Sequence, residues 1–203
     1  GLGALYLMAK DKINPLWYSE FIPLLFFVSS IFAGLSMVIF EGSISHRVFS
    51  DQVSEKNHKQ HDRIIVKLAR ICAATLFVYF FMHILVFIHE KHWEYLTGFY
   101  GNWFLFEMLG LVLLPMVMFF YGYRKQSIKL IKIAALLTMI GIIVNRLNLT
   151  VIGFRWEDAV RYVPSWKEIM ITATVILTEI WVFRWIVRRM PVLRESPDWT
   201  KNS

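Results

Sequence analysis

From Phe21 to Phe40 the chain runs for twenty residues without a charged side chain. Twenty helical residues rise about 30 Å, the thickness of a bilayer's hydrocarbon core. Four more apolar stretches follow, at about Ile64–Ile88, Asn102–Tyr123, Ile128–Ile152 and from Ser165 to about Val187. With 57% hydrophobic and only 18% charged residues, the 203-residue chain lacks the polar shell that a soluble domain of this size needs. The mean hydropathy, +0.50, agrees. The fold expected is all-α, a polytopic transmembrane bundle of about five spanning helices over residues 21–190. Residues 1–20 form a helix end and outer loop before it, and 191–203 a cytoplasmic tail.

The connections read as polar or aromatic loops: Ser43 to about Asp62, His89–Gly101, Arg124–Gln126 and Gly153–Pro164. Pro115 should kink the third span, and Ser165 with Glu168 has the spacing of a capping box that starts the fifth. Ser29, Ser30 and Gly34 suggest close helix packing in the first span. The opening segment, Gly1 to Met8, is apolar but too short to span, and no secretory signal pattern accompanies it. It reads as the end of a helix begun upstream, so the chain is expected to be the later part of a longer polypeptide.

The net charge of +7 raises a nucleic-acid reading, which the placement of the charges opposes. Basic residues sit in short segments between apolar runs. Fifteen fall on one side: Arg47, Lys56, Lys59, Arg63, Lys67 and Arg70; Arg124, Lys125, Lys129 and Lys132; Arg184, Arg188, Arg189, Arg194 and Lys201. By the positive-inside rule these face the cytoplasm, and the N-terminal segment with loops 89–101 and 153–166 faces out. The outer segments are rich in aromatics, including Trp17, Trp93, Tyr95, Trp156, Tyr162 and Trp166. They read as an interfacial belt, part of which could dock a periplasmic partner.

Ionisable groups inside a span are costly and therefore functional candidates. His83, Glu107 and Arg146 fall at similar depth, roughly 8–10 Å below the outer surface at 1.5 Å per residue. Asn145 and Asn148 flank Arg146, and Glu179 lies near the middle of the fifth span. A structural Glu107–Arg146 ion pair, a proton path and a quinone-headgroup site are all compatible with this patch. No metal is expected. The single cysteine, Cys72, can form neither an internal disulfide nor a thiolate cluster. His83 and His89 share one helix and His46, His58, His61 and His92 lie in loops, so a bis-histidine haem is not expected. Asn148-Leu149-Thr150 matches a glycosylation sequon by chance at a helix end.

Several segments resemble the NrfD/PsrC superfamily, in its HybB branch. They are Leu5-Tyr6-Leu7, Asn14-Pro15-Leu16-Trp17, Leu24-Leu25-Phe26 and Met37-Val38-Ile39-Phe40-Glu41-Gly42-Ser43. Phe106-Glu107, Leu114-Pro115, Asn145-Arg146-Leu147, Tyr162-Val163-Pro164-Ser165-Trp166-Lys167-Glu168 and Met190-Pro191-Val192-Leu193 follow in the same order. The resemblance implies a haem-free membrane subunit of roughly ten spans, of which this chain supplies the C-terminal half. Such subunits pass electrons between a periplasmic iron–sulfur subunit and quinone, menaquinone or ubiquinone, in the bacterial inner membrane. In the hydrogenase case the donor is a periplasmic nickel–iron subunit. The N-terminal half would carry the principal quinone pocket, leaving Glu107, Arg146 and Glu179 here as positions that help move protons. Half of a secondary transporter, or a purely structural anchor, are the competing readings.

Overall fold

The computed structural model describes residues 2–48, 55–154 and 165–189. Five of its helices are long and apolar enough to cross a membrane: Ile22–Ile44, His61–Glu90, Phe99–Lys125, Ile128–Ile152 and Trp166–Ile186. In chain order, α1 (Leu2–Tyr6) leads through a 3₁₀ turn (Leu7–Lys12) to α2 (Ile22–Val48) and α3 (Glu55–Glu90). The third span is composite, with α4 (Phe99–Phe106), a π-helical segment (Glu107–Leu113) and α5 (Leu114–Lys125). The fourth is α6 (Ile128–Leu147) ending in a second π segment (Asn148–Ile152), and the fifth is α7 (Trp166–Arg189). The chain divides into two compact units, Gly1–Arg161 and Tyr162–Ser203.

In the first unit α2 packs on α3 and α6, and α5 packs on the same two helices, which closes a ring of four. The buried positions repeat at alternating steps of three and four residues. On α2 they are Ile22, Leu25, Ser29, Phe32, Ser36 and Ile39; on α3, Ile65, Ala69, Cys72, Leu76 and Tyr79. This is the knobs-into-holes spacing of near-parallel helix axes. Lipid is as apolar as these side chains, so no hydrophobic gain draws the helices together and close packing of small residues must do so. Ala69, Cys72, Ala134 and Ala135 supply it, fully buried where the helices meet. Gly141 supplies more: a Cβ there would lie 2.8 Å from the Leu111 carbonyl oxygen. Gly34, by contrast, is exposed and a Cβ on it would meet nothing within 4 Å. Ser30 is exposed too and bonds back to the Phe27 carbonyl. The close packing expected at these two positions is therefore absent, and Ser29 alone of the three is buried in the bundle.

Pro115 acts through the π segment. It has no N–H for the carbonyl four residues earlier, Leu111, and its ring crowds that turn. The helix widens over Glu107–Leu113, Leu114 N–H bonds to the Leu109 carbonyl, and the Leu111 carbonyl faces Gly141 across the interface.

The polar stretch 43–62 is not simply a loop. Helix α2 continues to Val48 and α3 begins at Glu55, so hydrophilic turns extend both helices past the apolar run. Glu, Lys and Gln favour helix, and polarity there marks water rather than a break. The turn at 124–127 is as tight as expected, with Gln126 in the left-handed region and Ser127 N–H bonded to the Gly122 carbonyl. In the second unit α7 starts where the capping pattern places it, with Glu168 N–H at 3.4 Å from Ser165 Oγ.

Candidate functional site

The N-terminal segment Ile13–Trp17, the loop 89–98 and the end of the fourth span share one end of the bundle. Ile13 forms an isolated bridge with Phe154, and Asn14 N–H donates to the Gly153 carbonyl at 2.8 Å. Asn14 is buried, and its Oδ1 accepts from Leu16 N–H while its carbonyl takes the N–H groups of Trp17 and Tyr18. This local wrap ends the choice of where Trp17 points. Its indole enters the bundle, only 5% exposed, edge-on to Phe104 and Tyr100. The docking role considered for Trp17 is thereby corrected: the proline turn after Asn14 folds it inward.

Inside, the indole N–H meets Glu107, which is 1% exposed and stands at the start of the first π segment. Trp17 Nε1 donates to Glu107 Oε2 at 2.8 Å, Asn148 Nδ2 to the same oxygen at 2.6 Å, and Asn145 Nδ2 to Oε1 at 2.6 Å. All three donors are neutral. Asn148 starts the second π segment, and its Oδ1 accepts from Trp103 Nε1 at 2.9 Å, which obliges its amide nitrogen to face the carboxylate. The two π segments thus meet through Glu107 and Asn148. Such segments open the backbone ladder and are frequent at functional sites.

Arg146 is not the direct partner of Glu107. It donates through one terminal nitrogen to Ser29 Oγ at 2.6 Å, and the other is 3.5 Å from Asn145 Oδ1. Its guanidinium lies 3.5 Å over the Phe26 ring. Asn145 therefore stands between the two charges, and the direct ion pair expected from depth is corrected to a bridged one. The reason is helical phase. On α6 the buried repeat Ile131, Ala134, Thr138, Gly141 carries on to Asn145 and Asn148. Arg146 sits one residue, about 100°, off that line, and so turns toward α2.

His83 continues the buried repeat of α3 one step past Tyr79, whose ring it meets edge-on at 4.6 Å between centroids. Its Nε2 is buried and has no hydrogen-bond partner among the described residues. Glu179 lies on α7 of the second unit, where its side chain is exposed. Of the proposed docking aromatics, Trp93 (56% exposed), Tyr95 (40%) and Trp166 (69%) are on the surface. Trp156 and Tyr162 lie outside the described residues. No cluster of three or more His, Cys, Asp or Glu groups able to hold a metal occurs among the described residues. Reading the sequence missed the Trp17 and Trp103 contacts. The signal that would have found the site is the three-four repeat, which puts Glu107, Asn145 and Asn148 on interior faces.

Residues 3–155 match the family described as polysulphide reductase, NrfD. The chain is 41% identical over 200 residues to a protein of Nitratidesulfovibrio vulgaris strain Hildenborough, covering 98% of this chain and 52% of that relative. It is 26% identical over 195 residues to the probable Ni/Fe-hydrogenase 2 b-type cytochrome subunit of Escherichia coli strain K12, covering 95% and 48%. The chain thus spans about half the length of the curated relatives it matches. No solved structure matches it.

Proposed function

Because the chain belongs to the polysulphide reductase NrfD family, we propose that it serves as a membrane subunit of a respiratory oxidoreductase, linking a periplasmic iron–sulfur subunit of hydrogenase type to quinone in a bacterial inner membrane. The observation that carries this reading is the buried carboxylate. Quinone reduction consumes protons with electrons, and a membrane interior offers few places to hold one. Glu107 uses three of its four lone pairs on Trp17, Asn145 and Asn148, so Oε1 keeps one position where a proton can sit without displacing a contact. The cation Arg146 is held one amide away rather than in contact with the carboxylate.

The name of the Escherichia coli relative raises b-type haem. The histidines of the apolar spans do not fit it: His61, His83 and His89 all project from α3, His92 follows in the next turn, and the cavity beside His83 measures about 10 Å³, while His46 and His58 stand in the polar turns of α2 and α3 beyond the spans. A membrane haem needs ligands on facing helices and a cleft of its own. Extraction of the purified native complex should yield quinone, and a reduced-minus-oxidised spectrum of this subunit should lack a b-type α-band. An α-band that disappears in His83→Ala would refute the haem-free reading, and a complex devoid of quinone the quinone-linked one.

The basic loops are proposed to face the cytoplasm and the aromatic end the periplasm. In intact cells, a cysteine placed at Ser54 should resist an impermeant thiol reagent and one at Ala159 should react. The reverse pattern would invert the orientation.

A further inference from the structure

At the aromatic end a cleft of about 710 Å³ opens between the N-terminal segment and the loop after α3, lined by Asp11, Glu20, His89, Glu90, His92 and Tyr95 among others. Beneath it lies the small cavity of about 10 Å³, bordered by Trp17, Ser19, His83, Val86, His92 and Phe104. That volume is about what one water molecule's centre requires. His92 and Tyr18 border both spaces, so they form the wall between the open cleft and the buried void. The void is not purely apolar, since Ser19 is buried against it and the partnerless Nε2 belongs to His83. A buried imidazole nitrogen without a partner is costly, and a polar void the size of one water is the ordinary remedy.

We propose that one water occupies this cavity and joins His92 to His83, forming a proton route from the outer cleft into the helix bundle that bears Glu107. The proposal rests on the quinone-linked reading only for the proton's destination. In each passage a proton on His92 moves to the water and the water gives one of its own to Nε2 of His83. One N–H bond breaks, one forms, and the water is returned neutral. His92 suits the outer post: Glu90 Oε2 stands 3.4 Å from its Nε2, and Lys10, Asp11, Glu20 and His89 line the cleft around it. Burial pushes the His92 imidazole below its ordinary range while Glu90 pulls it back, so the group releases a proton readily. On the inner side His83 meets the rings of Tyr79 and Phe104, and Phe104 packs on the Trp17 indole that donates to Glu107.

The test follows hydrogen–deuterium exchange at the imidazole Cε1–H of each histidine, by mass spectrometry, in the purified full-length protein. His83 should exchange within about tenfold of exposed His89, and Val86→Ile, which adds a methylene to the cavity, should slow His83 about tenfold or more without altering His89. A His83 that does not exchange, or one indifferent to Val86→Ile, would overturn the water site. In the complex, His92→Phe keeps the ring contacts with Phe87 and Tyr95 but removes the proton carrier, and should lower quinone-linked turnover about tenfold or more. An unchanged rate would overturn the route. Exchange is read without turnover, so a complex inactive toward quinone would sink the functional reading while the water site stands or falls on exchange alone.

Discussion

Glu107→Leu is expected to leave the protein largely unfolded or unassembled in detergent. The substitution keeps the volume but removes the only acceptor for three donors that have been folded inward to meet it: Trp17 Nε1, Asn145 Nδ2 and Asn148 Nδ2. Each buried donor left without a partner costs about 1–3 kcal/mol, so the sum is roughly 3–9 kcal/mol and comparable to the stability of a whole domain. The loss also propagates. Trp17 anchors the N-terminal segment and Asn148 the second π turn, which Trp103 and Gly153 hold from the other side. Removing Arg146 as well, in Glu107→Leu with Arg146→Met, should not restore assembly, because the two charges meet only through Asn145. Thermal unfolding of the purified variants, followed by size-exclusion profile, measures this. A rescue by the second substitution would mean that the charges are in direct contact.

The second large effect concerns backbone rather than charge. Gly141→Val is expected to cost about 1–3 kcal/mol or more, since a Cβ there would stand 2.8 Å from the Leu111 carbonyl oxygen and 3.1 Å from the Leu111 Cβ. The carbonyl cannot retreat easily. It is the one to which Pro115 offers no N–H, and the π segment that accommodates it also carries Glu107. Pushing α6 away at Gly141 therefore loosens Asn145 and Asn148, one and two turns further along the same helix face. Gly34→Val, on an exposed face with open space around it, serves as the control and should be close to neutral. Midpoints of thermal unfolding for the two variants compare the effects directly, and equal midpoints would remove the argument.

The spans were legible in the sequence because a bilayer demands about twenty apolar residues in a row. The fourth, Ile128–Ile152, agrees at both ends, and the third is longer by three residues at its start and two at its finish. Hydropathy says nothing about water-exposed helix, so the ends of α2 and α3 at Val48 and Glu55 were hidden within a polar stretch. The site was legible by depth but not by direction. Counting residues from the surface placed Glu107 and Arg146 at one level; only the phase of the buried repeat separates Asn145 from Arg146 and turns the cation toward Ser29 and Phe26. Trp17 was read as an interfacial aromatic because composition cannot show that the Asn14-Pro15 turn folds it back. The π turns had one visible trace, Pro115, and at Asn148 none.

The central claim, that Glu107 holds a proton on behalf of quinone chemistry, is tested most directly by Glu107→Gln in the native complex. Glutamine keeps one oxygen for Trp17 and Asn148, and Asn145 can turn its amide over to accept from the glutamine N–H, giving up only its 3.5 Å contact with Arg146. The complex should therefore assemble. Without a carboxyl group to take up and release a proton, its quinone-linked turnover with a periplasmic electron donor should fall about 10²-fold or more. An assembled Glu107→Gln complex turning over at the unaltered rate would contradict the account and leave Glu107 a packing residue.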